Sequence, residues 1–192
     1  MTEAASPPNP ARRRLLMAAP LVVAGGAGVA FWRMLSGMRQ GSFDPHDIHA
    51  PALDRPVPDF ALPGLPPAQG FGAADLRALK APVLVNFFAS WCIPCVAEMP
   101  QLNALKDRLP IWGIAYKDKP AEAQGFVRRA GNPYARIASD LSGMTAIDWG
   151  VSGVPESFLI GPGGIIRWHS AAALDEATAR RTLLPLAASL RS

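Results

Sequence analysis

The chain has 192 residues, enough for one ordinary domain with an accessory segment and too few for two full domains. Its 49% hydrophobic and 18% charged residues exclude a mostly disordered polar chain, and two cysteines exclude a disulfide-dense scaffold. The formal charge of +4 is carried by residues 1–39, where Arg12, Arg13, Arg14, Arg33 and Arg39 face Glu3 alone, so the balanced remainder offers no basic face to a nucleic acid.

Arg12, Arg13 and Arg14 precede a charge-free run over residues 15–32. As a helix it would rise roughly 27 Å, about the depth of a bilayer core. The pattern predicts a cytoplasmic stretch at 1–14 and a single-pass membrane anchor at 15–32, with the rest of the chain across the membrane. Pro20, Gly25, Gly26 and Gly28 lower the helix propensity of this run. A cleaved signal with a small-residue site at Gly28-Val29-Ala30 is therefore a competing expectation, as is a weak twin-arginine pattern at Arg12-Arg13, and a buried soluble helix is a third. Three arginines before the run against Arg33 and Arg39 after it narrowly favour a cytoplasmic N-terminus. Residues 33–55, broken by Gly37, Gly41, Pro45 and Pro51, read as a tether. His46 and His49 within it have no cysteine or carboxylate cluster at ligand spacing and read as solvated linker residues.

A globular domain is expected over residues 56–192. Residues 82–88, Pro-Val-Leu-Val-Asn-Phe-Phe, form a nearly continuous apolar run of the kind needed by a central strand buried on both faces. After a tight connection at 89–91, residues 94–109 place Val96, Met99, Leu102, Leu105 and Leu109 at three- and four-residue steps, an amphipathic helix with a kink expected at Pro100. A second strand at 111–116, a helix around 121–130, a hairpin with strands at 157–160 and 165–169, and a last helix at 174–190 complete the order β-α-β-α-β-β-α. Leu183, Leu184, Leu186 and Leu190 are its expected core residues. This order predicts an α/β domain with a mixed central sheet flanked by helices.

The chemistry concentrates at Trp91-Cys92-Ile93-Pro94-Cys95. A CxxC where a strand meets a helix places the first sulfur at the helix N-terminus, where free N–H groups and the macrodipole favour the nucleophilic thiolate. The second sulfur lies one turn in. Cys92 is thus the expected attacking thiol and Cys95 the resolving thiol, with their own disulfide as the redox centre and no other cofactor. An inert disulfide usually links distant segments, and a metal half-site lacks its other ligands, His169 being the only histidine of the domain, so no metal is expected. Two buried apolar cysteines are a third, blander reading. An isolated peroxidatic cysteine is not the pattern here.

These residues resemble the thioredoxin-like superfamily and, within it, the CcmG or DsbE proteins of cytochrome c maturation. The resemblance runs through Pro56-Val57-Pro58-Asp59-Phe60, residues 86–98, Tyr116-Lys117-Asp118, Gly131-Asn132-Pro133-Tyr134 and residues 150–160, Gly-Val-Ser-Gly-Val-Pro-Glu-Ser-Phe-Leu-Ile. It implies a thioredoxin-like fold and a periplasmic thiol reductant anchored in the bacterial inner membrane. It further implies that Pro155 is a cis-proline opposite the dithiol, that Val154 offers backbone to an incoming peptide, and that Glu98 and Glu156 are acidic residues around the dithiol. Glu98, three residues after Cys95, also falls on the same helix face by spacing. Trp91 and Pro94 complete the expected binding and tuning set. Ser152 stands where the family often has tyrosine, Gly161 where aspartate often follows the strand, and Ala171-Ala172 where glycine is usual.

Carboxylates beside a thiol oppose thiolate formation and favour a reducing couple. A thioredoxin-like potential facing a strongly oxidising periplasm would be separated from it by about 150 mV, roughly 7 kcal/mol, so a membrane electron donor is implied. The expected substrate is apocytochrome c or its maturation chaperone. A general periplasmic reductase or isomerase, or a non-enzymatic module that binds apocytochrome, are the alternatives.

Overall fold

The structure is a computed structural model that describes residues 25–29, 31–33, 36 and 53–191. The chain divides into two units, Met1–Asp47 and Ile48–Ser192. In the first, residues 25–29, 31–33 and 36 are helical and Val29, Phe31 and Trp32 are exposed. Among the described residues no helix is long and apolar enough to cross a membrane. Most of the expected span 15–32 and of the tether 33–55 lies outside the described residues.

The second unit opens with a small antiparallel pair, β1 (Ala61–Leu62) and β2 (Phe71–Gly72), followed by the short helix α1 (Ala73–Arg77). The main sheet contains β3 (Val83–Phe88), β4 (Ile111–Tyr116), β5 (Arg136–Asp140), β6 (Glu156–Gly161) and β7 (Ile165–Ser170), in the spatial order β5-β4-β3-β6-β7. The first three are parallel, joined through α2 (Ile93–Leu105) and α3 (Pro120–Ala130), while β6 and β7 add antiparallel neighbours. A short helix α4 (Met144–Asp148) precedes β6. The chain ends in α5 (Glu176–Thr178), a π turn (Ala179–Leu183) and α6 (Leu184–Ser189). This is the mixed sheet flanked by helices that the apolar runs predict.

Several details, among them the pair β1–β2 and helix α1, which no sustained apolar run announces, differ from the sequence expectation. β5 and α4 were absent from it because Arg136-Ile137-Ala138-Ser139-Asp140 is short, polar at both ends and lies at the sheet edge, where the apolar signal is weakest. α2 ends at Leu105 rather than 109 and holds Pro100 within its span. In the C-terminal segment the buried positions are Ala179, Leu183 and Ala187, whereas Leu184, Leu186 and Leu190 pack only partly buried against the core. The π turn holds one extra residue per turn, so the side-chain register shifts along the helix.

The two faces of the sheet are filled by alternate strand residues. On one, Leu84 and Phe88 of β3 and Leu159 of β6 pack against Cys92, Cys95, Met99, Leu102 and Leu105 of the α2 segment. On the other, Val83, Val85 and Phe87 of β3 and Phe158 and Ile160 of β6 meet Phe71, Trp112 and Trp149.

Candidate active site

The strand β3 delivers the chain to a turn at Ala89 and Ser90. Asp118, buried in the loop after β4, grips that turn: Ser90 N donates to its Oδ2 at 2.6 Å and Ser90 Oγ to its Oδ1 at 2.9 Å. Cys92 then caps α2, its Sγ accepting from Cys95 N at 3.1 Å. Pro94 sits in the first turn, where its missing N–H removes no helical bond. The two sulfurs form a disulfide across a Cα separation of 5.3 Å. Cys92 is 4% exposed and Cys95 fully buried, so of the pair only the first residue touches solvent, and only slightly.

Opposite the pair lies the loop before β6, with a cis peptide bond between Val154 and Pro155. The Val154 carbonyl oxygen is 3.4 Å from Cys92 Sγ, within reach of an S–H donor once the thiol is reduced. Around the disulfide the surface is apolar: Trp91 is 58% exposed, Ile93 82% and Val96 52%. Trp91 is tilted against Tyr116 at 6.4 Å and its Nε1 donates to Lys117 O at 3.4 Å, which ties the exposed indole to the end of β4 and the loop after it.

Both expected carboxyls are buried, but they lie on opposite faces of the sheet. Glu98 is on the α2 face, where Asn86 Nδ2 donates to its Oε1 at 3.0 Å and Leu174 N to its Oε2 at 3.1 Å. Desolvation pushes its carboxyl from an ordinary 4.5 up to about 7, against the opposing pull of those two donors. Glu156 follows Pro155 and alternates with Phe158 onto the aromatic face. Its Oε2 accepts from Ser152 N at 3.0 Å, Ser152 Oγ at 3.3 Å and Gly153 N at 3.4 Å, and its Oε1 meets His169 Nε2. Ser152 thus braces the loop through Glu156. Among the described residues no group of three or more His, Cys, Asp or Glu could hold a metal.

The structure adds Asn86, Ser157, Tyr134, Asp118 and His169 to the polar framework around the site. Asn86 had a signal in the sequence, as the one polar residue inside the apolar run of β3. Ser157 pairs with it across β6, and Asn86 Nδ2 donates to Ser157 Oγ at 3.0 Å. Tyr134 and His169 reach their partners from 48 and 13 residues away, which no local pattern announces.

The family model described as AhpC/TSA family matches residues 53–169. The chain is 37% identical over 175 residues to the thiol:disulfide interchange protein DsbE of Xylella fastidiosa (strain Temecula1), an alignment covering 89% of this chain and 88% of that protein. It is 38% identical over 169 residues to the thiol:disulfide interchange protein HelX of Rhodobacter capsulatus, covering 88% and 92%. With DsbE of Escherichia coli K12 the identity is 34% over 175 residues, covering 91% and 94%. A crystal structure from Chlorobium tepidum, described as a thiol:disulfide interchange protein DsbE, shares 26% identity and a TM-score of 0.60 over 70% of this chain and 95% of that one.

Proposed function

This chain belongs to the AhpC/TSA family as a DsbE-type thiol:disulfide interchange protein, a thiol–disulfide oxidoreductase with its CxxC pair at Cys92 and Cys95, and we propose that it is a membrane-anchored periplasmic reductant of apocytochrome c or its maturation chaperone. The observation that carries the reading is the placement of Cys92 Sγ at the N-terminus of α2, 3.4 Å from the Val154 carbonyl in the loop ending at cis Pro155. That backbone beside the sulfur, with the exposed Trp91, Ile93 and Val96, suits a polypeptide more than a small polar molecule.

In the reduced protein the Cys92 thiolate attacks one sulfur of a substrate disulfide, and the other substrate sulfur leaves as a thiolate that takes up a proton. Cys95 then gives its proton to the Glu98 carboxylate and attacks Cys92 Sγ. The second substrate thiolate leaves and is protonated, and the Cys92–Cys95 disulfide forms. Two electrons pass from protein to substrate, and the oxidised protein is the form described. A membrane dithiol donor returns it to the reduced state, and residues 15–32 hold it at that membrane.

In cells, Cys95→Ser is expected to accumulate a reductant-sensitive adduct through Cys92, in the membrane fraction and enriched in apocytochrome c or a maturation partner. Cys92→Ser is expected to accumulate none. The reverse pattern would exchange the roles of the two sulfurs. Normal cytochrome c assembly with both variants in an oxidising medium would overturn the redox reading in favour of a binding module.

A further inference from the structure

Glu98 does not stand alone beneath the dithiol. Asn86 has two amide hydrogens and one carbonyl, and all are engaged: Nδ2 donates to Glu98 Oε1 and to Ser157 Oγ, both at 3.0 Å, and Oδ1 accepts from Tyr134 Oη at 2.8 Å. A primary amide turned half way about its Cγ bond has nearly the same shape, so its neighbours decide which end faces which way. A carboxylate and a serine hydroxyl impose little preference when the carboxyl is protonated. The phenol hydroxyl does, because it offers a hydrogen to Oδ1.

The Tyr134 ring is placed for this task. It is buried, stacked on Phe88 at 4.9 Å and 15°, and lies against Gly113 of β4, where a Cβ would come within 3.0 Å of the ring carbons. A glycine inside a strand marks such a close approach. Burial, with Glu98 adding to it, holds the phenol well above its ordinary value, so the group is an O–H donor throughout the working range. Among the described residues its other hydrogen bond is to the Met99 sulfur, 3.9 Å away and weak.

We propose that Tyr134 is a positioning residue of the disulfide exchange: through Asn86 it keeps an N–H donor, and not a carbonyl, against Glu98. This deepens the reading given above and rests on it. With the donor in place, an ionised Glu98 is stabilised and accepts the Cys95 proton near neutrality. With the amide turned, Oδ1 faces the carboxyl, which then keeps its own proton to satisfy it. The groups that meet Glu98 are Asn86 from β3, Tyr134 from the segment before β5 and the Leu174 N–H before α5, with the dithiol one turn earlier on its own helix. Among these only Tyr134 and the thiols are ionisable. Glu156 lies across the sheet.

The test is Tyr134→Phe in the full chain, which keeps the ring stacked and removes only the hydroxyl. The pH titration of the Glu98 carboxyl carbon by NMR is expected to move up by about one pH unit, the loss of one charge-assisted hydrogen bond. Because the carboxyl then stays neutral to a higher pH, the pH profile of Cys92 alkylation in the reduced protein is expected to move down, toward that of Glu98→Gln. In a Glu98→Gln background the same change is expected to leave the alkylation profile where Glu98→Gln alone puts it. An unmoved carboxyl midpoint, or an equal shift of alkylation in both backgrounds, overturns the inference. If the reduced wild-type protein fails to open a peptide disulfide at all, the exchange reading falls instead; if it opens one while the midpoint stays put, only the role of Tyr134 falls.

Discussion

The two faces of the central sheet each bury one carboxyl and treat it differently. On the α2 face, Glu98 meets two neutral donors in a cluster of leucine, methionine and phenylalanine, and desolvation outweighs them. On the other face, Glu156 meets three donors from Ser152 and Gly153 together with His169, within an aromatic cluster in which Trp149 touches Phe60, Phe87 and Phe158 at 5.1–5.7 Å. Equal burial therefore does not imply equal function. The carboxyl whose desolvation outweighs its donors is the one the proposed proton transfer uses, whereas the other holds the loop before Pro155 through Ser152 and Gly153.

The largest effect expected from breaking this division lies on the aromatic face. Phe87 is fully buried, edge-on to Trp149 at 5.5 Å and to Phe158 at 5.8 Å. Phe87→Ala is expected to cost about 3–5 kcal/mol in denaturant unfolding, while the pH profile of Cys92 alkylation in the folded fraction stays unchanged. A shifted profile would mean that the aromatic face also tunes the thiols.

Next in size is the pH dependence set by Glu98. The unfolded carboxyl releases its proton near 4.5 and the folded one near 7, so between those values the native state binds more protons than the unfolded chain. The stability associated with the neutral carboxyl is complete below about 4.5, falls as pH rises, and is lost by about 7, on the order of 3 kcal/mol across the window. Glu98→Gln is expected to flatten this slope in unfolding measured at a series of pH values. Above pH about 7 it should also let Cys92 alkylate at lower pH and make the couple less reducing, because the negative charge opposing thiolate is gone. Parallel slopes for wild type and variant would place the titrating group elsewhere.

What was legible in the sequence follows from the range of each signal. β3, α2 and the β6–β7 hairpin could be read because their apolar patterns are local, and the CxxC marks the place where β3 passes into α2. β5 could not, because an edge strand with Arg136 and Asp140 at its ends need not be apolar. Glu98 and Glu156 could be singled out, but their separation onto two faces required the register that pairs Asn86 with Ser157 and Phe87 with Glu156. Tyr134 is held by Phe88, Gly113 and Asn86, three residues on two strands, so its place exists only once the sheet has formed.

The smallest expected effect is also the sharpest test of the two-face division, because it makes the same chemical change on the other side. Glu156→Gln can keep its carbonyl oxygen toward Ser152 N and Gly153 N and present its amide hydrogens to the His169 ring nitrogen, so the loop before Pro155 retains its brace. The contacts lose charge assistance and the second amide hydrogen finds no acceptor, so the loss of stability is expected to be about 1–2 kcal/mol. Because Glu98 and its donors are untouched, the fall in stability between pH 4.5 and about 7 should persist, and the alkylation profile of Cys92 should superimpose on that of the wild type. Glu156→Ala, which strips the brace, should instead slow mixed-disulfide formation with a peptide while leaving alkylation by a small reagent alone, since the peptide needs the Val154 backbone in place and the reagent does not. If Glu156→Gln shifted thiol alkylation as far as Glu98→Gln, the two carboxyls would act as one acidic environment across the sheet, and the face on which a carboxyl is buried would no longer explain what it does.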